Sequence, residues 1–288
     1  MIRIRKFEES NYKAIFHNYK TLRIALDPTK PIIELEYPEF YDVAINDKCN
    51  AMCSWCYVSA LKSGSNFRRV PDKIDSFFGT MDENQKPFQV AIGGAGEPTM
   101  HPEFIDILKK FDEVGIVPNY TTNGMHLTDE IIEATKEYSG GVALSCHPHL
   151  DKYWRPAADR FIKEGIRTNF HVIISDMKSI DTFFKIYEEY SGKIEYFVLL
   201  PYTVQGRAKE TNLEFDELFS RLKEMEEVKD IAFGANFYPY LTSNDISWLD
   251  VSLYEPEIMS KYIVMNNDMY IYDSSFSDEP INKEKIIA

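Results

Sequence analysis

The order of apolar and amphipathic segments along residues 41–200 limits this chain to few folds. Short apolar runs, typical of strands buried on both faces, alternate with stretches of helical periodicity. Parallel strands joined by crossover helices produce this order. The predicted strands are YDVAI (41–45), FQVAIG (88–93), IVPNYT (116–121), GVALSC (141–146), TNFHVII (168–174) and EYFVLL (195–200). The expected fold class is therefore α/β, a partial (β/α)6 barrel of parallel strands with a small C-terminal α+β extension.

Helices are predicted between these strands, and their starts are marked by capping residues. Residues 102–115 carry a strong apolar face. Thr128 is the predicted N-cap of the next helix, and Ser179 or Asp181 lies near the start of another. Because proline is favoured in the first turn of a helix, Pro156 predicts that its helix begins about there.

The chain divides by pattern into three parts. Residues 1–39 form an N-terminal extension with a possible helix, residues 40–208 form the core, and residues 209–288 form a C-terminal extension. Within the last part, two β-rich arms around Asn266–Asp268 predict a hairpin. The tail is expected to be a small appendage.

Composition narrows the cellular setting and the partners. No run of about 18 apolar residues occurs, and the N-terminus is too charged for a secretory signal, so we expect a cytoplasmic protein without a membrane span. A net charge of −14 disfavours nucleic acid as a partner. Three of the four cysteines lie within eight residues, which favours metal chemistry in a reducing compartment over disulfides.

Cys49, Cys53 and Cys56 form a C-x3-C-x2-C motif directly after the first predicted strand. Three thiolates on one loop can hold an iron–sulfur cluster and leave one iron without a protein ligand. A metal with an open coordination position can bind a substrate, whereas a closed four-ligand site is structural. The spacing alone also allows a zinc site completed by a distant ligand such as Cys146 or His147.

The motif, with Trp55 before its last cysteine, resembles that of the radical S-adenosylmethionine (radical SAM) superfamily. The resemblance extends to a glycine-rich segment ending in Glu-Pro, GGAGEPTMHPEF at residues 93–104, and to Thr-Asn-Gly at residues 122–124. Ser145 matches a serine at the end of the family's fourth strand. These pieces agree in order and spacing over about residues 40–207, which is more than half of the chain.

The resemblance implies a reaction and its cofactors. A 4Fe-4S cluster on the three motif cysteines would bind S-adenosyl-L-methionine and cleave it to methionine and a 5′-deoxyadenosyl radical, which would then remove a hydrogen atom from the substrate. Trp55 and Tyr57 would lie near the adenine, the Gly94–Glu97 segment near the methionine amino group, and Ser145 near the ribose or carboxylate. The residues expected to bind the cofactor are Trp55, Tyr57, Gly94, Ala95, Gly96, Glu97, Asn123, Ser145, Asn169 and His171.

Asn169 and His171 are included because alternate residues of a strand share a face, here the expected barrel interior. Cys146, after the fourth strand, has two interpretations: a hydrogen-atom donor to a substrate radical, or a buried cysteine that packs as a small hydrophobe.

The substrate is less constrained than the chemistry. Residues 201–208, PYTVQGRA, are similar to a segment of the peptide-modifying subgroup of the family. No cysteine follows Cys146, so the auxiliary cluster of that subgroup is not expected, and the C-terminal extension is predicted to be free of clusters. The expected partners are a peptide or small-molecule substrate and an electron donor such as flavodoxin or ferredoxin.

Two interpretations from other classes remain open at this point. One is a zinc- or cluster-stabilised binding protein without catalysis, and the other is a non-catalytic electron carrier. The GGAGEP segment favours the enzyme, because neither alternative needs a pocket for a methionine headgroup.

Overall fold

A computed structural model of the chain describes residues 2–210, 215–225, 228, 230–242, 246–249 and 259–282. The strands are β1 (Arg3–Phe7), β2 (Tyr12–His17), β3 (Lys20–Ala25), β4 (Phe40–Ala44), β5 (Gln89–Ile92), β6 (Val117–Thr122), β7 (Gly141–Ser145), β8 (Thr168–Ile174), β9 (Tyr196–Pro201), β10 (Ile231–Phe233), β11 (Ser260–Val264) and β12 (Tyr270–Tyr272). The α-helices are α1 (Val70–Phe77), α2 (Phe104–Glu113), α3 (Asp129–Tyr138), α4 (Asp151–Lys163), α5 (Met177–Tyr190), α6 (Asp216–Lys223) and α7 (Tyr238–Leu241).

The main sheet has nine strands in the order β10-β9-β8-β7-β6-β5-β4-β11-β12. Strands β4 to β9 are parallel neighbours in chain order, which confirms the six predicted strands and the partial barrel. Strand β10 adds a further parallel strand beside β9. Because all these strands run in one direction, their carboxyl ends meet at one edge of the sheet, which we call the upper edge.

Helices α2, α3 and α5 follow the predicted design, with one correction. Thr128 caps α3 as predicted, because its hydroxyl oxygen accepts a hydrogen bond from the Ile131 amide at 3.3 Å. Helix α5 is capped by Asp176, and not by Ser179 or Asp181. Ser179 occupies the third helical position and completes a capping box with Asp176, so its hydroxyl stabilises the helix start from inside.

The expectation that a helix begins at about Pro156 was wrong. Helix α4 begins at Asp151 and contains Pro156 in its interior. Trp154, which is fully buried, donates its indole N–H to Asp151 at 2.8 Å and ties down the turn before the proline. Burial of this side chain offsets the hydrogen bond that proline cannot donate.

The possible helix in the N-terminal extension was also wrong. Residues 3–25 form an antiparallel three-stranded sheet in the order β1-β2-β3. Tyr12, Ala14 and Phe16 are buried with the period of two that a strand requires. The sheet packs against the lower end of the barrel through a small cluster that includes Leu35 and Phe88.

The predicted C-terminal hairpin is confirmed, but it is not an isolated appendage. Strands β11 and β12 pair antiparallel around the turn at 265–269. Strand β11 also pairs in parallel with β4, so the extension continues the main sheet on the side away from β5. Part of the predicted helix at 214–229 lies outside the described residues, and α6 is the part within them. Among the described residues, no helix is long and apolar enough to cross a membrane.

Candidate active site

The three motif cysteines lie on a closed loop that leaves the upper edge after β4. Isolated bridges join Asn46 to Asn66 and Lys48 to Leu61, so the loop returns to the place where it began. Asn46 is buried, and its side-chain amide donates a hydrogen bond to the Glu97 backbone carbonyl at 2.8 Å. The base of the loop is therefore tied to the glycine-rich segment after β5.

All three cysteines are half-buried, and the surroundings of Cys49 and Cys53 disfavour their free thiolates. Burial, followed by the neighbouring Cys49 and Cys56, raises the pKa of Cys53 to about 12. The Cys49 sulfur lies 3.5 Å from the Ala51 amide nitrogen and 3.9 Å from the Asn123 side-chain nitrogen, both of which can donate to it. Within the ranges that the structure describes, no three His, Cys, Asp or Glu side chains are arranged to hold a single metal ion.

Arg207 fastens this loop from the other side of the barrel. Its guanidinium donates to the Cys53 carbonyl at 3.0 Å and to the Ala60 carbonyl at 2.8 Å, and its amide donates to the Cys56 carbonyl at 3.0 Å. The preceding Gly206 has φ +61°, and a Cβ there would lie 2.2 Å from the Tyr57 carbonyl oxygen. The segment after β9 is thus built to approach the cysteine loop closely and to bring a positive charge to it.

The glycine-rich segment after β5 packs between the cysteine loop and the C-terminal hairpin. Gly94 has φ +80°, and its carbonyl oxygen lies 3.1 Å from the Tyr57 hydroxyl and 3.5 Å from the Tyr262 hydroxyl. A Cβ at Gly94 would be 2.9 Å from the Tyr262 ring, and one at Gly96 would be 2.5 Å from the Lys48 carbonyl oxygen. Side chains are therefore excluded at both glycines by contacts on opposite sides, and Ala95 between them is half-buried.

Glu97 was expected near the methionine amino group, but its carboxylate points into the protein. It is buried and accepts hydrogen bonds from the Thr99 hydroxyl, the Thr122 hydroxyl and the Asn123 amide at 2.7–2.8 Å. Asn123 in turn donates its side-chain N–H to Asn50 at 2.8 Å. Glu97 therefore joins the ends of β5 and β6 and orients Asn123 toward the cysteine loop.

Trp55 lies at the upper edge, beside the segment that follows β7. Its ring meets the rings of His147 and His149 edge-on, at 5.5 and 5.0 Å between centroids. Its indole N–H is buried and has no hydrogen-bond partner among the described residues. Buried hydrogen-bond donors nearly always have an acceptor in proteins, so this N–H is expected to bond to a group outside the described residues.

Two cavities of about 450 and 180 Å³ lie on either side of Trp55 and share it and Ile173 as walls. Cys146 lines the larger one, but it is buried, and its sulfur lies 3.5 Å from the Leu144 carbonyl oxygen. Burial raises the pKa of the Cys146 thiol well above its usual value, so it is protonated. His149 lies 3.6 Å from the Cys53 sulfur, which connects this cavity to the cysteine loop.

Asn169 and His171 face the barrel interior, as their alternation on β8 predicts. Both line a third cavity of about 440 Å³ in the lower half of the barrel. Ser145 ends β7 and is the register partner of His171. Burial lowers the pKa of His171 to about 4, so this imidazole is neutral near pH 7.

The arrangement fits an iron–sulfur cluster and an adenosyl ligand. Three cysteines lie on one loop with N–H donors and Arg207 around them, which suits an anionic cluster. The orphaned Trp55 N–H lies on that loop beside the upper cavities, and the Gly94–Gly96 backbone adjoins the loop through Tyr57 and Lys48. The cysteine loop, the glycine-rich segment and the Thr-Asn-Gly segment thus meet at one edge, as their places after three parallel strands predict.

Three residues of the site were not singled out from the sequence. Arg207 lies within the quoted PYTVQGRA segment, but nothing local assigns it to the cysteine loop. Tyr262 comes from a strand whose partner could not be predicted. Asp42, which lines the lower cavity with Asn169 and His171, carried a signal, because a carboxylate in the apolar strand YDVAI must either be paired or face a cavity.

Residues 43–151 match the family model described as "Radical SAM superfamily". A curated relative, the "Tungsten-containing aldehyde ferredoxin oxidoreductase cofactor-modifying protein" of Pyrococcus furiosus, is 30% identical over 96 residues, which cover 32% of this chain and 26% of the relative.

Solved structures with the same fold include SuiB of Streptococcus suis bound to its precursor peptide SuiA, with a TM-score of 0.67 and 14% identity over 88% of this chain and 64% of that one. Native anSMEcpe with bound AdoMet and the Cp18Cys peptide has a TM-score of 0.57 and 12% identity over 84% of this chain and 75% of that one. The chain thus spans about two thirds of SuiB and about a quarter of the curated relative.

Proposed function

We propose that the protein is a radical SAM enzyme that abstracts a hydrogen atom from a peptide or small-molecule substrate, which the match of residues 43–151 to the radical SAM family model supports. The observation that carries the proposal is the meeting of the cysteine loop, the glycine-rich segment and the orphaned Trp55 N–H at one edge of the barrel. Cys49, Cys53 and Cys56 would hold a 4Fe-4S cluster, which when bound supplies the electron that cleaves S-adenosylmethionine.

The chain's own residues would position this chemistry. Asn123 and the Ala51 amide donate toward the Cys49 sulfur and would stabilise its thiolate form. The backbone of Gly94–Gly96, fixed by Tyr57 and Tyr262, would hold the methionine headgroup. Trp55 would donate its free N–H to the bound nucleoside or substrate. Ser145, Asn169 and His171 would complete the barrel wall beneath it.

Cys146 is proposed as a hydrogen-atom donor on the substrate side. Its protonated thiol lines the upper cavity beside Trp55. Transfer of its hydrogen atom to a substrate carbon radical would leave a sulfur-centred radical, which one electron and one proton would restore to the thiol. The electron would come from the same external donor that reduces the cluster, a protein such as flavodoxin or ferredoxin.

A peptide is the first choice of substrate. The two upper cavities form an elongated space across the ends of β7 to β10, which suits an extended ligand. Structures of the same fold have been solved with the peptides SuiA and Cp18Cys. A small metabolite is the alternative, since the larger upper cavity, of about 450 Å³, has the volume of a small-molecule site.

The test begins with anaerobic purification of the full chain and measurement of iron, sulfide and zinc. The reduced protein is then incubated with S-adenosylmethionine, and 5′-deoxyadenosine is measured. We expect about four irons per chain and formation of 5′-deoxyadenosine. Cys53→Ala should lose both cluster and cleavage, whereas Cys146→Ala should retain both. Zinc without iron, or no 5′-deoxyadenosine from a verified reduced cluster, would contradict the proposal.

A further inference from the structure

We propose that the lower cavity of the barrel binds a ligand through a primary ammonium group, with the Asp42 carboxylate as its counter-ion. The inference rests on the proposed function in one respect: the ammonium group would belong to the substrate. Binding itself can be measured without catalysis.

The cavity exists because the barrel interior is not packed in the usual way. Interiors of parallel barrels are normally filled by large branched side chains. Here the inward positions include Ala91, Gly141 and Ala143, which leave about 440 Å³ free. This volume lies within the range of small-ligand pockets.

Asp42 projects into this space from β4. Its carboxylate makes no hydrogen bond or ion pair with any residue that the structure describes. Burial alone raises its pKa to about 6, so the group is mostly ionised at pH 7.5. Asp42 is half-buried, and a carboxylate held away from bulk water is rarely left unpaired, because the lost hydration is costly. An unpaired one therefore marks the place of a cation or a strong donor.

The protein offers no cation of its own at this point among the residues that the structure describes. His171, across the cavity, is neutral near pH 7, because burial lowers its pKa to about 4. At the lower mouth, the Arg167 guanidinium is paired with Glu195 at 3.3 Å and lies over the Tyr19 ring at 5.1 Å. Lys20, also at the mouth, forms no ion pair with Asp42 in the described part of the chain. A ligand would therefore have to supply the positive charge that pairs with Asp42.

Asp42 also adjoins the proposed cofactor site. Its negative charge raises the pKa values of Tyr57 and Tyr262, the two tyrosines whose hydroxyls bind the Gly94 carbonyl, although burial is the larger cause in both. A ligand held by Asp42 would therefore lie below the glycine-rich segment. A substrate anchored there through its ammonium group would extend upward to the upper edge and its cavities.

The remaining polar groups of the cavity suit such a ligand. Asn169 and His171 line it and make no side-chain hydrogen bonds to the described residues. Together they offer donors and acceptors for hydroxyl, carbonyl or amide groups attached to the amine. The geometry therefore points to an amine with further polar atoms and not to an alkyl cation alone.

The test uses n-butylammonium as a minimal probe, with n-butanol as its neutral counterpart and butyrate as its anionic one. Binding to the full chain is measured by ligand-observed NMR and isothermal titration at pH 7.5. Only n-butylammonium should bind. Asp42→Asn should weaken its binding about tenfold or more, the scale of one charge-assisted hydrogen bond. Asp42→Glu should retain it if the charge is what matters.

Glu195→Gln is the matched control, because Glu195 is the other carboxylate of this cavity and is already paired with Arg167. It should leave probe binding within about threefold of the wild type. Circular dichroism establishes that each variant is folded. Absence of probe binding to the wild type, equal binding of n-butanol, or unchanged binding to folded Asp42→Asn would overturn the inference. 5′-Deoxyadenosine formation, measured in parallel, tests the proposed function separately.

Discussion

Gly94→Ala tests whether the C-terminal hairpin shapes the proposed methionine subsite. Gly94 has φ +80°, and a Cβ there would lie 2.9 Å from the Tyr262 ring carbon. A left-handed backbone costs a non-glycine residue about 1–2 kcal/mol. Forcing an extra carbon into a packed contact adds about 1–3 kcal/mol. We therefore expect a loss of about 2–5 kcal/mol in unfolding free energy if the segment holds its shape.

The chain provides a matched control at Gly115. Its φ is +79°, almost the same, but nothing lies within 4 Å of the position that a Cβ would take. Gly115→Ala should therefore lose only the backbone component, about 1–2 kcal/mol. The difference between the two variants isolates the contact with Tyr262.

Two assays separate the possible responses of the segment. Urea unfolding gives the stability change, and isothermal titration of the reconstituted protein gives the affinity for S-adenosylmethionine. If the segment shifts to relieve the contact, part of the cost appears as weaker binding, and about 1.4 kcal/mol corresponds to about tenfold. Gly115→Ala should bind with unchanged affinity.

The reasoning would be refuted by equal stability loss in both alanine variants together with unchanged affinity in Gly94→Ala. A double-mutant cycle with Tyr262→Ala gives a further check, because removing the ring should relieve part of the Gly94→Ala penalty. Full additivity of the two substitutions would show that the ring contact does not matter.

Three further predictions each concern a single side chain. Arg207→Ala removes two charge-assisted hydrogen bonds to the cysteine loop and should speed the loss of iron from the reconstituted protein, whereas Arg160→Ala, at a surface ion pair with Asp129, should not. The pKa of Asp42 rises from 3.8 in the unfolded chain to about 6 in the folded protein, so the folded state favours the protonated carboxyl. The resulting contribution to the free energy of unfolding is fully present below pH 3.8 and is lost as the pH rises through 6. Asp42→Asn should therefore gain stability relative to the wild type as the pH rises from about 4 to about 7, by at most about 3 kcal/mol in urea unfolding, and a constant difference would contradict this. Cys146→Ala should leave 5′-deoxyadenosine formation intact but abolish product if the thiol donates a hydrogen atom, and an unchanged product yield would exclude that role.

The parallel strands of the barrel could be predicted because their signal is local. Each of β4 to β9 is a short apolar run bounded by turn residues, and buried parallel strands have this appearance wherever they occur. The edge at which the motifs meet followed from the same pattern, since every loop after a parallel strand leaves from the same side. The cysteine loop and the Thr-Asn-Gly segment were therefore brought together correctly.

The start of helix α4 and the structure of the N-terminal extension were harder to predict from the sequence. In both places tertiary packing decides between local preferences that disagree. Pro156 is a valid helix start in isolation, and only the burial of Trp154 in the preceding turn places it inside α4. Along β2, burial of Tyr12, Ala14 and Phe16 follows a period of two, yet charged residues around it obscure the pattern in the sequence. In both places tertiary burial outweighs local preference.

The C-terminal hairpin shows most clearly what a local pattern cannot contain. Alternating residues in β11 predict a strand but not its neighbour, and the neighbour is β4, more than 200 residues earlier. Strand β4 would otherwise be an unprotected edge of the barrel, with backbone groups open to pairing. Because β11 covers that edge, Tyr262 reaches Gly94 across a separation of 168 residues. The extension therefore cannot be treated as an appendage to the core, since it supplies one wall of the segment on which cofactor binding is proposed to depend.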